Sequence, residues 1–214
     1  DNNDFRNVLN FDGVEPSGYM VRTYSGKQRI FPSILQSFRL SLNTQPCVNF
    51  PVLTARLIYE KFLSKNENHI TYDSSSGWGG RLLGALSSNR NIHYVGSDPN
   101  MNNKGCYERL GDFYNKNCNG KNTYEIFYQG SETIHRNKNF NKYNNQESLC
   151  FTSPPYFDKE RYSDDEGQSF KKFPDYQLWR QKFLGKTIEN SWNSLKQNGH
   201  MIINIADVKM GNNN

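Results

Sequence analysis

The sequence predicts an α/β fold, a mostly parallel sheet with helices on both faces. Three observations predict it. Short β-prone runs alternate with longer amphipathic runs from position 51 to 206, the order that builds parallel strands through helical crossovers. The β-prone runs stop at Gly, Ser, Asp or Pro, residues that end strands. Chemistry-bearing residues fall just after those runs, at the carboxyl ends where open parallel sheets bind ligands.

Taken in order, residues 1–45 read as short apolar pieces broken by Gly and Pro, an N-terminal extension ahead of a domain at 46–214. Within the extension, residues 18–31 suit a hairpin around Ser25-Gly26. Leu53, Leu57, Ile58 and Phe62 recur at helical spacing, so 51–64 is a helix with Pro51 in its first turn. His69–Asp73 is a strand that stops at SSSGWGG. Arg81–Ser88 is a helix and Ile92–Asp98 a strand. Residues 101–116 form a helix with Cys106, Leu110, Phe113 and Tyr114 on one side. Tyr124–Tyr128 is a strand. Residues 135–146 are polar and without period, hence a surface loop. Leu149–Thr152 is a strand running into Ser153-Pro154-Pro155-Tyr156, followed by a charged loop at 158–174. Tyr176, Trp179, Phe183, Leu184, Ile188, Trp192 and Leu195 mark an amphipathic helix, and His200–Ala206 a buried strand.

A chain of 214 residues holds one domain, or one with an appendage. Hydrophobic residues are 35%, below the typical ~45–50%. Aromatics at 14% compensate, since each buried ring removes roughly 150–250 Å² from water. No apolar run approaches the ~20 residues that span a membrane, and DNNDFRNVLN has no signal-peptide h-region. The four cysteines form no CxxC pair, and no HExxH occurs. Zinc ribbons, thioredoxin-type sites and zincins are thereby excluded, and no metal is expected. The formal charge of +5 permits nucleic-acid binding without demanding it.

Two segments carry the chemistry. Asp73-Ser74-Ser75-Ser76-Gly77-Trp78-Gly79-Gly80 leaves a strand and enters a helix. It has neither the GxGxxG spacing nor a following GK[ST], so it is not a pyrophosphate loop. An acid, small residues and a glycine turn suit a ligand with a cationic or amino end; the alternative is an ordinary glycine-rich turn. Asp98 ends the next strand, where a carboxylate can accept both hydroxyls of a ribose; alternatively, in Asp98-Pro99-Asn100, it caps the next helix. In Thr152-Ser153-Pro154-Pro155-Tyr156, two prolines remove two donors and lock the chain. Carbonyl acceptors, one hydroxyl and an aromatic face remain. That set suits a planar aromatic amine, which would donate to Ser153 Oγ and the Pro154 carbonyl and stack on Tyr156 for about 1–3 kcal/mol. Otherwise the prolines merely end a strand.

These residues resemble the DNA amino-methyltransferases over about residues 47–207. Ser153-Pro154-Pro155-Tyr156 is similar to their motif IV, [DNS]PP[YFW], and DSSSGWGG to motif I, which binds the methionine part of S-adenosylmethionine. Asp98 matches the motif II acid. Gly130-Ser131-Glu132 lies where motif III does, Asn49-Phe50-Pro51 looks like motif X, and Met201–Asp207 falls at motif V. The resemblance implies a Rossmann-like fold and methyl transfer from S-adenosylmethionine to an exocyclic amino group of a flipped DNA base. It assigns Ser153, Pro154, Pro155 and Tyr156 to catalysis. To the cofactor it assigns Phe50, Asp73, Ser74, Ser76, Gly77, Gly79, Asp98, Pro99 and Ser131. TSPPY is more typical of cytosine-N4 enzymes and DPPY of adenine-N6 enzymes, so cytosine N4 is favoured. A cytoplasmic, prokaryotic or phage setting follows, with a restriction nuclease or another subunit as partner. The only Pro-Cys, Pro46-Cys47, precedes motif I, which argues against C5-cytosine chemistry.

The resemblance implies seven strands, the last two a hairpin, whereas five are read after residue 64. Either the chain is truncated, or residues 19–31 supply a permuted hairpin beside the strand at 201–206. No separate target-recognition domain is evident; that role would fall to residues 1–45, to 135–146, to 158–174, where Lys159, Arg161, Lys171 and Lys172 could meet phosphates, or to a missing C-terminal part. The rival readings are an RNA or protein-glutamine N-methyltransferase (families that usually show NPPY), a non-catalytic nucleic-acid-binding subunit of this fold, and a nucleotide-sugar enzyme on the same sheet.

Overall fold

In the computed structural model the five strands lie in one parallel sheet, ordered β3-β2-β1-β4-β5. The structure describes residues 49–118, 120–157 and 166–205. The chain divides into two units, Asp1–Val48 and Asn49–Asn214, and the fold is that of the second. The expected hairpin at 18–31, its pairing with the last strand, and Lys159 and Arg161 lie outside the described residues.

The elements run α1 (Val52–Phe62), β1 (Asn68–Asp73), α2 (Gly80–Leu86), β2 (Asn91–Ser97), α3 (Lys104–Asn117), β3 (Thr123–Phe127) and β4 (Glu147–Thr152). Short helical turns α4 (Ser169–Lys172) and α5 (Tyr176–Leu178) follow, then a π-helical stretch Trp179–Leu184, α6 (Gly185–Ser194) and β5 (Leu195–Ile203). From β1 the chain builds outward through β2 and β3, then returns to lay β4 on the other side of β1. Strand order therefore reverses between β1 and β4, the point where such sheets open a crevice.

Both faces are covered, as a parallel sheet requires. On one face Ala55, Tyr59, Leu82, Leu86, Tyr107 and Phe151 join α1, α2 and α3 to the strands. On the other, Tyr72, Val95, Phe127 and Cys150 pack with Ile134, Phe140 and Tyr143, beneath α6. Each fully buried large side chain contributes roughly 1.5–3 kcal/mol.

The first four strands match the sequence reading closely; the fifth, expected to be buried, has no buried residue, and the helix faces also differ. In α1 the buried residues are Ala55 and Tyr59, while Leu53 is 73% exposed and Leu57 is also outside. A close crossing decides this: a Cβ on Gly84 of α2 would lie 2.5 Å from that of Ala55. In α3, Tyr107, Gly111 and Tyr114 face inward, while Cys106 and Phe113 are exposed. Gly111 sits under the Tyr124 ring, where no larger residue fits.

Residues 135–146 are more than a surface loop. Phe140 and Tyr143 are buried, and Phe140 meets Phe127 edge-on at 5.6 Å. Two aromatics three positions apart are too few to show a period. The helix expected over 176–195 is broken by its π-helical stretch. Trp179 and Phe183 are buried, then Thr187, Ser191 and Ser194, leaving Trp192 exposed. The wider π turn rotates the inward face away from the apolar residues. Leu195 belongs to β5, which begins before the expected His200.

Candidate active site at the strand switch point

The glycine turn after β1 and the twin-proline corner after β4 are neighbours, because β1 and β4 pair directly, Tyr72 opposite Cys150. Side chains join them. Thr152 Oγ1 donates to Asp73 Oδ1 at 2.9 Å, and Ser74 Oγ donates to Thr152 Oγ1 at 3.0 Å.

Asp73 is fully buried and fully engaged. Its oxygens accept from Thr152, from the Ser75 N–H at 3.1 Å, from Tyr94 Oη at 2.7 Å and from Arg81, whose Nε is 2.7 Å away and Nη2 3.2 Å. A carboxylate offers about four lone-pair sites, so Asp73 has no capacity left for a ligand. Its place is at the root of the turn. Burial works against the Arg81 charge, yet the Asp73 carboxylate outweighs it and holds the guanidinium pKa above its ordinary value. The guanidinium also donates to the Ser75 carbonyl and lies 5.5 Å from the Phe50 ring centre.

The turn is tied down at several points. Gly77 has φ +56°, and its N–H donates to Asp98 Oδ2 at 2.7 Å. Its carbonyl accepts from Asn103 Nδ2 at 3.0 Å and from the Tyr107 hydroxyl. Among the described residues, a Cβ on Gly77 would meet only the Ser75 carbonyl, at an ordinary contact distance of 3.8 Å. Gly79, with φ +82°, is instead covered by Leu110, and Gly80 by Asn49 and Phe50. Asn49 Oδ1 accepts the Gly80 N–H at 3.1 Å, which ties the segment before α1 to the start of α2. Among the described residues, Gly77 is thus the glycine of this turn that leaves room for a ligand.

Asp98 follows β2 on the same rim. Its second oxygen accepts the Asn100 N–H at 2.8 Å, so among the described residues each oxygen bonds one backbone donor and keeps a lone pair. Burial raises its pKa to about 6, the two N–H bonds holding it lower than burial alone would. Capping and ligand binding are therefore compatible here.

At the other corner, Asn204 follows β5 and clamps the motif. Its N–H donates to the Thr152 carbonyl at 2.9 Å, and its Nδ2 to Ser153 Oγ at 3.1 Å. Pro154 is buried, and Ser153, Pro155 and Tyr156 are half-buried. Phe157 turns the chain with φ +28° and packs edge-on against Tyr176 and Trp179, at 5.6 and 5.7 Å.

Other expected residues lie behind the crevice. The Ser76 hydroxyl is 3.1 Å from Tyr94 Oη, inside the Asp73 cluster. Ser131 Oγ bonds Thr187 of α6 at 2.8 Å, so its hydroxyl faces that helix. Pro99 is half-buried between Asp98 and Asn100. Lys172 pairs with buried Glu132 at 3.0 Å and Lys171 with Glu166 at 3.3 Å. Arg81, Tyr94 and Asn204 were not expected. Arg81 had a signal: it is the lone charge at the head of the apolar helix RLLGAL.

No protein-family model matches the sequence, and no curated protein does. Solved structures do match. An rRNA methylase from Streptococcus thermophilus aligns at 13% identity and TM-score 0.44, over 73% of this chain and 72% of that one. A Streptococcus mutans protein in complex with SAH, provisionally named a methyltransferase, aligns at 11% identity and TM-score 0.47, over 73% of each chain. A SAM-dependent methyltransferase from Agrobacterium tumefaciens aligns at 11% identity and TM-score 0.48, over 72% of this chain and 44% of that one. At these identities the likeness is one of backbone fold. Among the described residues no helix is long and apolar enough to cross a membrane.

Proposed function

We propose that this chain transfers a methyl group from S-adenosylmethionine to an exocyclic amino nitrogen of a DNA base. One observation carries the reading. The open glycine turn and the twin-proline corner stand side by side at the switch point, linked through Thr152. The site fits the cofactor: among the described residues, Gly77 leaves a space that a Cβ would fill, and Asp98 keeps a lone pair on each oxygen.

The cofactor would supply a methyl group already activated on a sulfonium, so alignment is the protein's main contribution. Asp98 would accept the ribose hydroxyls, and Gly77 would let the backbone approach. At the other corner, Ser153 Oγ and the Pro154 carbonyl would accept the two amino N–H bonds. Drawing on those bonds favours a more tetrahedral, nucleophilic nitrogen, which later releases one proton to water. Asn204 holds Ser153 in place for this. Tyr156 would stack on the extruded base and offset part of the few kcal/mol that extrusion costs. The TSPPY sequence favours cytosine N4.

The test is incubation with isotopically labelled S-adenosylmethionine and either duplex DNA or structured RNA, followed by nucleoside analysis by mass. Label in N4-methylcytosine or N6-methyladenine of DNA is the expected result. Label in RNA alone moves the substrate to RNA, and label in neither ends the reading. Ser153→Ala and Tyr156→Ala should bind cofactor within about 3-fold of wild type and lose at least ~10-fold in turnover.

A further inference from the structure

One buried polar cluster belongs to neither corner alone. Asp73 ends β1, Thr152 ends β4, Tyr94 rises from β2 and Arg81 opens α2; all four are buried. Thr152 stands at the crossing. Its hydroxyl donates to Asp73 and accepts from Ser74, while its carbonyl accepts from Asn204. The glycine turn begins at Ser74 and the twin-proline corner at Ser153. One side chain therefore fixes the root of both loops, and its hydroxyl is the bond between them.

We propose that Thr152 is a latch that sets the distance between the two corners, a positioning residue for the reaction rather than a group that touches a ligand. Its consequence for turnover rests on the methyl-transfer reading; the latch itself does not. In-line transfer tolerates little misplacement, and a shift near 1 Å can cost on the order of 100-fold in rate. Asp73 and Arg81 hold the latch from behind: the guanidinium aims the carboxylate through two bonds, and the carboxylate accepts the Thr152 hydroxyl. Valine has the shape of threonine without the hydroxyl, whereas serine keeps the hydroxyl without the methyl.

The experiment compares wild type, Thr152→Val and Thr152→Ser without cofactor, by native-state amide exchange read by mass. In Thr152→Val, exchange should rise about 10-fold in peptides covering both 74–77 and 203–205, where the Asn204 N–H bonds the Thr152 carbonyl, with α1 and β3 unchanged. Thr152→Ser should restore wild-type protection in both. With cofactor and DNA, Thr152→Val should lose about 10- to 100-fold in kcat, with the cofactor Kd within about 3-fold of wild type. Should Thr152→Val fail to fold, Ser74→Ala removes the other bond of the latch and should loosen the same two segments to a smaller extent. Exchange that rises in one segment only, or throughout the chain, overturns the latch, as does unchanged kcat in an active enzyme. Coupled loosening in a protein that methylates nothing upholds the latch and sinks the methyl-transfer reading.

Discussion

In the proposed reading, Asp98 is the carboxylate that meets the cofactor. It is buried enough to titrate near 6, yet among the described residues it keeps lone pairs after serving Gly77 and Asn100. Only the ionised form accepts two hydroxyls freely, so cofactor affinity should fall as pH drops through about 6. Asp98→Asn should weaken binding by roughly 10- to 100-fold at neutral pH, the equivalent of one charged hydrogen bond, and should flatten the pH dependence. Calorimetric titration at several pH values measures both. A midpoint near 6 that survives in Asp98→Asn would assign the titration to another group.

At the scale of the element, β4 and α6 share a buried acid that the site does not use. Burial raises Glu147 to about 8, although bonds from Cys150 and Ser194 pull it down. The folded chain thus keeps a proton that the unfolded chain releases near 4.5. The stability this proton confers is complete below the unfolded value and is lost as pH rises through about 8. Glu147→Gln, which mimics the protonated acid, should remove that slope and raise the melting temperature relative to wild type at alkaline pH. Thermal unfolding from about pH 5 to 9 tests it, and parallel curves for the two proteins would refute it. Elements also show where the sequence was opaque. Leu53, Leu57 and Phe113 sit at helical spacing but face outward, because close approaches at Gly84 and Gly111 chose the inward side. The π turn at Trp179–Leu184 likewise put Thr187, Ser191 and Ser194 inside, a face no hydrophobic pattern marks.

For the molecule as a whole, the Asp73–Arg81 pair joins the sheet to α2 beneath the site. Removing one partner of a buried pair strands the other's charge, at a cost of about 3–5 kcal/mol. Arg81→Ala should therefore lower unfolding stability by that amount in denaturant titrations, well beyond the loss at an exposed pair such as Lys186–Glu189. A loss under about 1 kcal/mol would show that the cluster repacks without the pair.

The sequence by itself determined the order of strands and helices, the α/β class and the two motif-bearing turns, because alternation of short β-prone runs with amphipathic ones, and glycine or proline at their ends, are local properties of the chain. Tertiary structure alone decided that Asp73 turns inward to Arg81, that Thr152 links the two corners, and which helix faces are buried. These outcomes depend on which side chains meet across neighbouring strands and how closely the helices approach. Spacing along one chain does not encode such distances.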